Sequence, residues 1–537
     1  MLPSFFKRRF DSDEVTGRHA YTPLGDVDES KEFKSLVDEV EGDSPLQEEE
    51  QSFSNETRRQ DGLRRVLGTL ALLLVPSFLE PKRTEAKPLR STAWLDGLRG
   101  IAALCVVFVH AGLVWFSWDI QSAWTPSPPR QWWLYQLPVL RLVVSGLAPV
   151  CVFFVVSGYT ISHRFLTLAR QGRFEQAGSA MASSIFRRHT RLFLPAAAVS
   201  LATAVMVYLG WFPDQGLPGV AVPTRTGPRL DSLWGQLRHY VLAEAFTTDP
   251  IGQPHLRGDA VGRPDPPYDP HLWTLPIEFV SSMVVFTFLT AFTRVRNRVR
   301  MLFALGLAVY LQWVFVYWGM FLFLGGMFLC DLHFELEDRR WWWSAPRSEL
   351  QEGASPLGDF APRTAKRSNN AYRVLGRAVG LVSFVLSLWL LSMPEDMEEA
   401  AQAPGYVTLA SWVPPRFQEA LVIPLGAVLT VLVVDQATFL QILFTNRFSQ
   451  YMGQISFSLY MVHGPLLYSL GLVLGRWTVA LVGGGESDTS YVFGIFLAFI
   501  LWAPAAIYVS DLTTRFVDKT AIEFSKWAYK MILRKEE

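Results

Sequence analysis

The sequence predicts an all-α protein: a polytopic transmembrane helix bundle of about ten spans, with both termini in the cytosol. Three observations carry this expectation. Half of the 537 residues are hydrophobic, with 38 Phe and 19 Trp, far above an ordinary soluble domain. Ten apolar stretches each approach the roughly 20 residues that a helix needs to cross a bilayer. Basic residues collect in alternate connections, as the positive-inside rule requires. Formal net charge is zero, so nothing global points to nucleic acid. Cys105, Cys151 and Cys330 fall in or beside apolar runs and read as buried thiols, with neither a disulfide framework nor metal-ligand spacing.

Taken in order, residues 1–62 are charged and poor in apolar clusters, with an acidic run from Glu39 to Glu50. Such a composition makes a cytosolic tail with no fold of its own, where the sequon at Asn55 goes unused. Met1 to Phe10 lacks the pattern of a signal peptide. Within 63–91, the run Val66 to Leu79 is short, contains Pro76 and follows Arg58, Arg59, Arg64 and Arg65. It reads as an interfacial helix and linker. The membrane domain is expected over 92–513, with spans near 98–118, 142–162, 191–211, 272–292, 300–316, 318–334, 375–393, 419–435, 453–475 and 491–511. The fifth and sixth run together, and Gly319 is the candidate for the break between them. Basic residues lie after the second span (Arg164 to Arg188), after the fourth (Arg294 to Arg300), after the sixth (Arg339 to Arg367) and in the tail 514–537. The long connection 212–271 is rich in Pro and Gly and contains His255 and His271. It either covers an acceptor site or simply joins helices. Trp341, Trp342 and Trp343 fit an interfacial belt.

Charged and titratable groups in membrane segments are costly, so each one marks a candidate site. Arg99 and His110 are eleven positions apart, about 20° from three full turns, and so lie on one helix face about 16 Å apart. Asp96 lies about 40° off the same line. A lone His in an apolar helix is more often packed than functional; the aligned Arg and Asp shift that balance. Ser157, Gly158 and Tyr159 are small and hydroxyl residues in the second span, a pattern that also serves helix packing. Arg188 and Arg191 open the third span as snorkelling anchors or, through their fork of donors, as a phosphate clamp. Coenzyme A carries several phosphates and would arrive from the cytosol. Glu278 sits at the hydrocarbon boundary and needs a partner, an Arg or His from another helix. Tyr460 and His463, three apart, share a face of the ninth span. No Gly-rich phosphate loop, His-Glu-x-x-His site or metal cluster is visible, so no metal is expected.

Five segments together resemble the membrane acyltransferase-3 family, integral membrane O-acyltransferases here of fungal type. The wording Leu95-Asp96-Gly97-Leu98-Arg99-Gly100, then ten residues between Arg99 and His110, is similar to the family's opening helix. Phe153-Phe154-x-x-Ser157-Gly158, Arg191-x-x-x-Pro195, Trp273-Thr274-Leu275-x-x-Glu278 and Ser456-x-x-x-Tyr460-x-x-His463 follow in the family's order. Thr274 departs mildly from the usual Ser. The resemblance covers about 92–513 and is weak for any particular substrate. It implies transfer of an acyl group, acetyl being the expected one, from acyl-CoA to a hydroxyl of a carbohydrate, lipid or secondary metabolite. In that reading His110 is the general base, and Arg99 and Asp96 orient the donor or the helix entry. Glu278 belongs to the catalytic set. Arg191, Arg188, Ser157, Tyr159 and His463 line the donor site. The alternative is a proton-coupled transporter or flippase, since midplane His, Glu and Arg serve transport too. An inactive scaffold is the third reading. Missing signal-peptide features suit an endomembrane or the plasma membrane.

Overall fold

The computed structural model describes residues 89–533, with 75–77 and 79, except for 117, 126–132, 214–215, 218–219, 221–226, 250–265, 339–362, 418 and 485–486. The tail 1–62, most of the 63–91 segment, Trp341 to Trp343 and His255 therefore lie outside the described residues. Among the described residues, nine helices are long and apolar enough to cross a membrane. A bent pair, Ala420–Gln436 with Thr438–Thr445 at 101°, makes a tenth span if counted as one. The protein is an all-α transmembrane bundle, as the apolar runs predict.

The principal helices are α1 (Ala93–Phe116), α2 (Leu147–Arg170), α3 (Phe174–Tyr208), α4 (Leu233–Thr247), α5 (Thr274–Ala291), α6 (Asn297–Phe315), α7 (Trp318–Asp338), α8 (Arg363–Leu391), α9 (Glu419–Gln436), α10 (Arg447–Leu466) and α11 (Asp488–Thr513). Two pairs form the spine. α1 packs along α10, and α2 packs along α7. Both contacts are backbone against backbone at glycine. A Cβ on Gly100 would stand 2.4 Å from the amide nitrogen of Gly453, and one on Gly326 would stand 2.0 Å from the carbonyl oxygen of Val155. Without a hydrophobic drive between helices in lipid, close approach of this kind supplies the dispersion contact that holds a bundle together.

Three boundaries differ from the hydropathy reading. The break between the fifth and sixth spans falls at Val316, in the left-handed region at φ 58°, and not at Gly319. Gly319 lies inside α7, where a Cβ would meet the Ile277 side chain at 2.5 Å. The third span begins seventeen residues before the apolar run, because Phe174 to Thr190 continues the same helix. Arg187 and Arg188 are thus helical residues, and residues 171–173 alone turn the chain. At the other end α11 passes through a π-turn (Thr514–Asp518) into a final helix, Lys519–Ile532, so the basic tail is largely helical. It packs on α3, with Phe186 and Tyr529 rings 5.3 Å apart.

The long 212–271 connection contains a helix of its own. α4 lies against α3, where Tyr240 donates its hydroxyl to the Ala197 carbonyl at 2.8 Å. The acidic loop at 395–399 does local work. Glu395 accepts from the Leu147 amide at 2.7 Å, meeting a donor that the first turn of α2 leaves unpaired. The three cysteines are free thiols, as expected.

Candidate active site

The α1–α10 contact carries two polar clusters on one face. At the amino end of α1, Arg99 donates from Nε to Ser456 Oγ at 3.0 Å and from a terminal nitrogen to the Gly453 carbonyl at 3.1 Å. Asp96 stands 3.7 Å from Arg99 and 3.3 Å from Arg90. Eleven residues further along, His110 Nδ1 lies 3.0 Å from His463 Nε2. The helical register read from sequence therefore holds: Arg99 and His110 both face α10. They do not touch, and each has its own surroundings.

Around Arg99 the arginines gather. Arg188 is buried and donates to Glu278 Oε1 at 2.9 Å and to Ser282 Oγ at 2.9 Å. Ser157 Oγ stands 3.5 Å from the same carboxylate oxygen. Glu278 thus finds the arginine partner that its place at the hydrocarbon boundary demands. Arg191 is exposed, in electrostatic contact with Arg99, Arg188 and Asp518. Where α2 meets α3, at the same end of the bundle, a cavity of about 650 Å³ is lined by Arg164, Arg173 and Arg187, with Glu175 as its acidic member. Tyr159 does not join this group. It lies on the opposite side of α2, its hydroxyl on Asp435 at 3.2 Å and its ring against Trp94. Two positions in a helix differ by about 200°, so Ser157 and Tyr159 cannot line one site.

The second cluster has three imidazoles. His271, at the junction of the long connection and α5, sets its ring edge-on to His110 with centroids 4.1 Å apart. It stands 4.5 Å from the His463 ring. His271 Nδ1 donates to Asp269 Oδ1 at 2.7 Å, and its backbone amide reaches the same oxygen at 3.2 Å. Burial pushes the Asp269 carboxyl above its usual range, with the bonds from His271 acting in the opposite sense. Gly464 makes room for the pair: a Cβ there would stand 2.3 Å from His271 Nδ1. Tyr460 bonds the His271 carbonyl and shares a 2.7 Å hydrogen bond with Thr274 Oγ1, which tethers α10 to the start of α5. In the sequence His271 both ends the long connection and opens the fourth apolar run, and no pattern there marks Asp269. His463, expected to line the donor site, sits on His110.

The hydrogen bonds fix tautomers. A backbone carbonyl can only accept, so the 3.1 Å contact between His463 Nδ1 and the Leu459 carbonyl places a proton on Nδ1. Neutral His463 then offers a lone pair at Nε2, and His110 must donate to it from Nδ1. His110 Nε2 then carries the lone pair, on a half-buried ring. One ring nitrogen from each imidazole lies within 4.8 Å of the others, the spacing of a metal site. Against the expectation of no metal, this cluster alone among the described residues has that spacing. The bonding pattern, however, already uses both nitrogens of His463 and one of each partner.

The chain is similar to known proteins. Residues 92–512 match the model of the acyltransferase-3 family, described as an acyltransferase domain. The chain is similar to O-acetyltransferase PaAT-1 of Phomopsis amygdali, 42% identical over 522 residues, which cover 96% of this chain and 97% of that protein. It is also similar to acyltransferase R4 of Phoma sp. (strain ATCC 20986 / MF5453), 25% identical over 83% of this chain and 97% of the relative. Acyltransferase clz18 of Cochliobolus lunatus is 25% identical over 81% and 94%. No solved structure matches. The chain belongs to the acyltransferase-3 family and is an integral membrane acyltransferase. Membership favours the enzyme over the transporter alternative.

Proposed function

We propose that this protein is an O-acyltransferase that moves an acetyl group from acetyl-CoA to a hydroxyl of a small-molecule, lipid or glycan acceptor. The observation that carries this reading is the shared α1–α10 face, with arginines at one end and His110 at the other. The separation suits a donor whose phosphates and reacting thioester are joined by a long flexible arm. The phosphates of the donor lie with Arg191, Arg99 and Arg188, and the arginine-lined cavity at that end gives a polyanion its approach. Glu278 holds Arg188 in place. His110 Nε2 takes the hydroxyl proton as the acceptor oxygen attacks the thioester carbon, the ordinary work of a general base near neutral pH. With both termini cytosolic, the arginine end faces the cytosol and the imidazole end faces the opposite compartment, in an endomembrane or the plasma membrane. The similarity to O-acetyltransferase PaAT-1 of Phomopsis amygdali supports the acetyl group.

The test is release of free CoA by purified protein supplied with acetyl-CoA and an extract of candidate acceptors. Acceptor-dependent CoA release with an acetyl-sized mass increment on one acceptor supports the reading. Acceptor consumption without CoA release from any acyl-CoA removes the donor assignment.

A further inference from the structure

Asp269 has no exposed side-chain surface. One of its oxygens takes both bonds from His271, and the other, Oδ2, has no hydrogen-bond partner among the described residues. Taking a carboxylate out of water without a compensating positive charge is very costly. The groups that face the pair are His110 from α1, His463 and Tyr460 from α10, and Tyr468 from the π-turn (Leu467–Gly471) that follows α10. None is a permanent cation. The positive charge that the carboxylate lacks can come from the His271 ring itself, through a second proton on it. With Nδ1 held by Asp269, Nε2 is the nitrogen through which that proton leaves. The pair is built in by the missing side chain at Gly464, next in sequence to the residue that sets the His110 tautomer. A proton-holding pair beside a proton-accepting imidazole is the arrangement of an acid facing a base.

We infer that Asp269 and His271 form the general-acid pair of the transfer, with His271 as the catalytic residue and Asp269 positioning and charging it. The inference rests on the acyl-CoA reading above. The acceptor oxygen bonds to the thioester carbon as His110 Nε2 takes its proton. The carbonyl re-forms as the carbon–sulfur bond breaks, and the bonding pair leaves on sulfur. The Nε2 proton of His271 passes to that sulfur, so the thiol and not a bare thiolate departs from an apolar site. His110 ends protonated and the pair ends one proton short. Exchange through water between the two rings restores the resting state.

The experiment compares two donors. Acetyl-CoA needs a proton on its leaving sulfur; the acetyl thioester of 4-nitrothiophenol releases a stabilised thiolate that does not. His271→Gln and Asp269→Asn are expected to lose roughly a hundred- to ten-thousand-fold of kcat with acetyl-CoA, the range for removal of a general acid. They are expected to lose less than about tenfold with the aryl thioester on the same scale. His110→Gln should fail with both donors. Equal losses on both donors for His271→Gln would overturn the inference and leave the pair a structural clamp. If the wild type ignores the aryl thioester, the pH dependence of kcat with acetyl-CoA decides. Loss of the acid's proton makes wild-type activity fall on the alkaline side. Asp269→Asn, by removing the counter-charge, should move that fall to lower pH, and an unmoved limb overturns the inference. Wild-type protein that acylates an acceptor without releasing CoA would instead remove the donor reading on which the inference stands.

Discussion

The bundle buries charge in several places, and two of them behave differently. Between α2, α6 and α7, Asp331 is held at 2.7 Å by Arg170 and at 2.7 Å by Arg300, all three nearly dry, and Asp435 of α9 holds His333 at 2.9 Å and the Tyr159 hydroxyl. There the Asp331 oxygens are spent on fixed donors. Around the α1–α10 face the polar groups keep unspent capacity: the His110 Nε2 lone pair on α1, an exposed Arg191 on α3 and the unbonded Oδ2 of Asp269 just before α5. The contrast teaches that a charge inside a membrane helix does not by itself mark chemistry. What distinguishes a working site from a brace is the bonding capacity left over for a substrate.

The largest effect on stability should come from the brace. Asp331→Asn removes the counter-charge of the buried Arg300 guanidinium and leaves Arg170 with the more distant Glu335, at 3.8 Å; removing one partner of a buried pair costs about 3–5 kcal/mol. Thermal unfolding of the detergent-purified variant should drop steeply, and an unchanged melting temperature would mean that these arginines reach water. Glu278→Gln is a mixed case. Arg188 is itself buried, so both folding and donor affinity should suffer, each less than in Asp331→Asn. Equal donor affinity in a folded Glu278→Gln would count Glu278 among the braces. Arg191→Lys keeps the charge and loses the bidentate fork. Its melting temperature should match the wild type while the apparent Kd for acetyl-CoA rises about tenfold, or roughly 1.4 kcal/mol. An unchanged Kd would return Arg191 to a snorkelling anchor. The smallest expected effect is that of 1,10-phenanthroline, which should leave activity intact if the imidazoles are bonded to each other as described. Inhibition that added zinc reverses would make the cluster a metal centre.

Much of this was legible in the sequence. The ten apolar runs mark the spans because hydrophobic length is set by the bilayer. The spacing of Arg99 and His110 fixes their common face, and the need of Glu278 for a counter-charge anticipates Arg188. The rest depends on what tertiary packing brings together. His271 and Asp269 sit where a long loop becomes a helix, and periodicity is silent there. Gly464 reads as an ordinary small helical residue until the pair it accommodates is seen. The break at Val316 has no local signal, since a β-branched residue in the left-handed region is held by its surroundings. Tyr159 is a different matter: its angle from Ser157 was available from residue spacing alone.

We propose that the chemistry sits at His110 and that the α2–α7 half is support. The most direct measurement is kcat of His110→Gln, made on protein whose melting temperature and detergent-elution profile match the wild type. Loss of roughly a hundredfold or more, the contribution expected of a general base, is the outcome this account requires. A folded His110→Gln enzyme within about threefold of wild-type kcat, well inside that range, would contradict it and move the base elsewhere in the molecule.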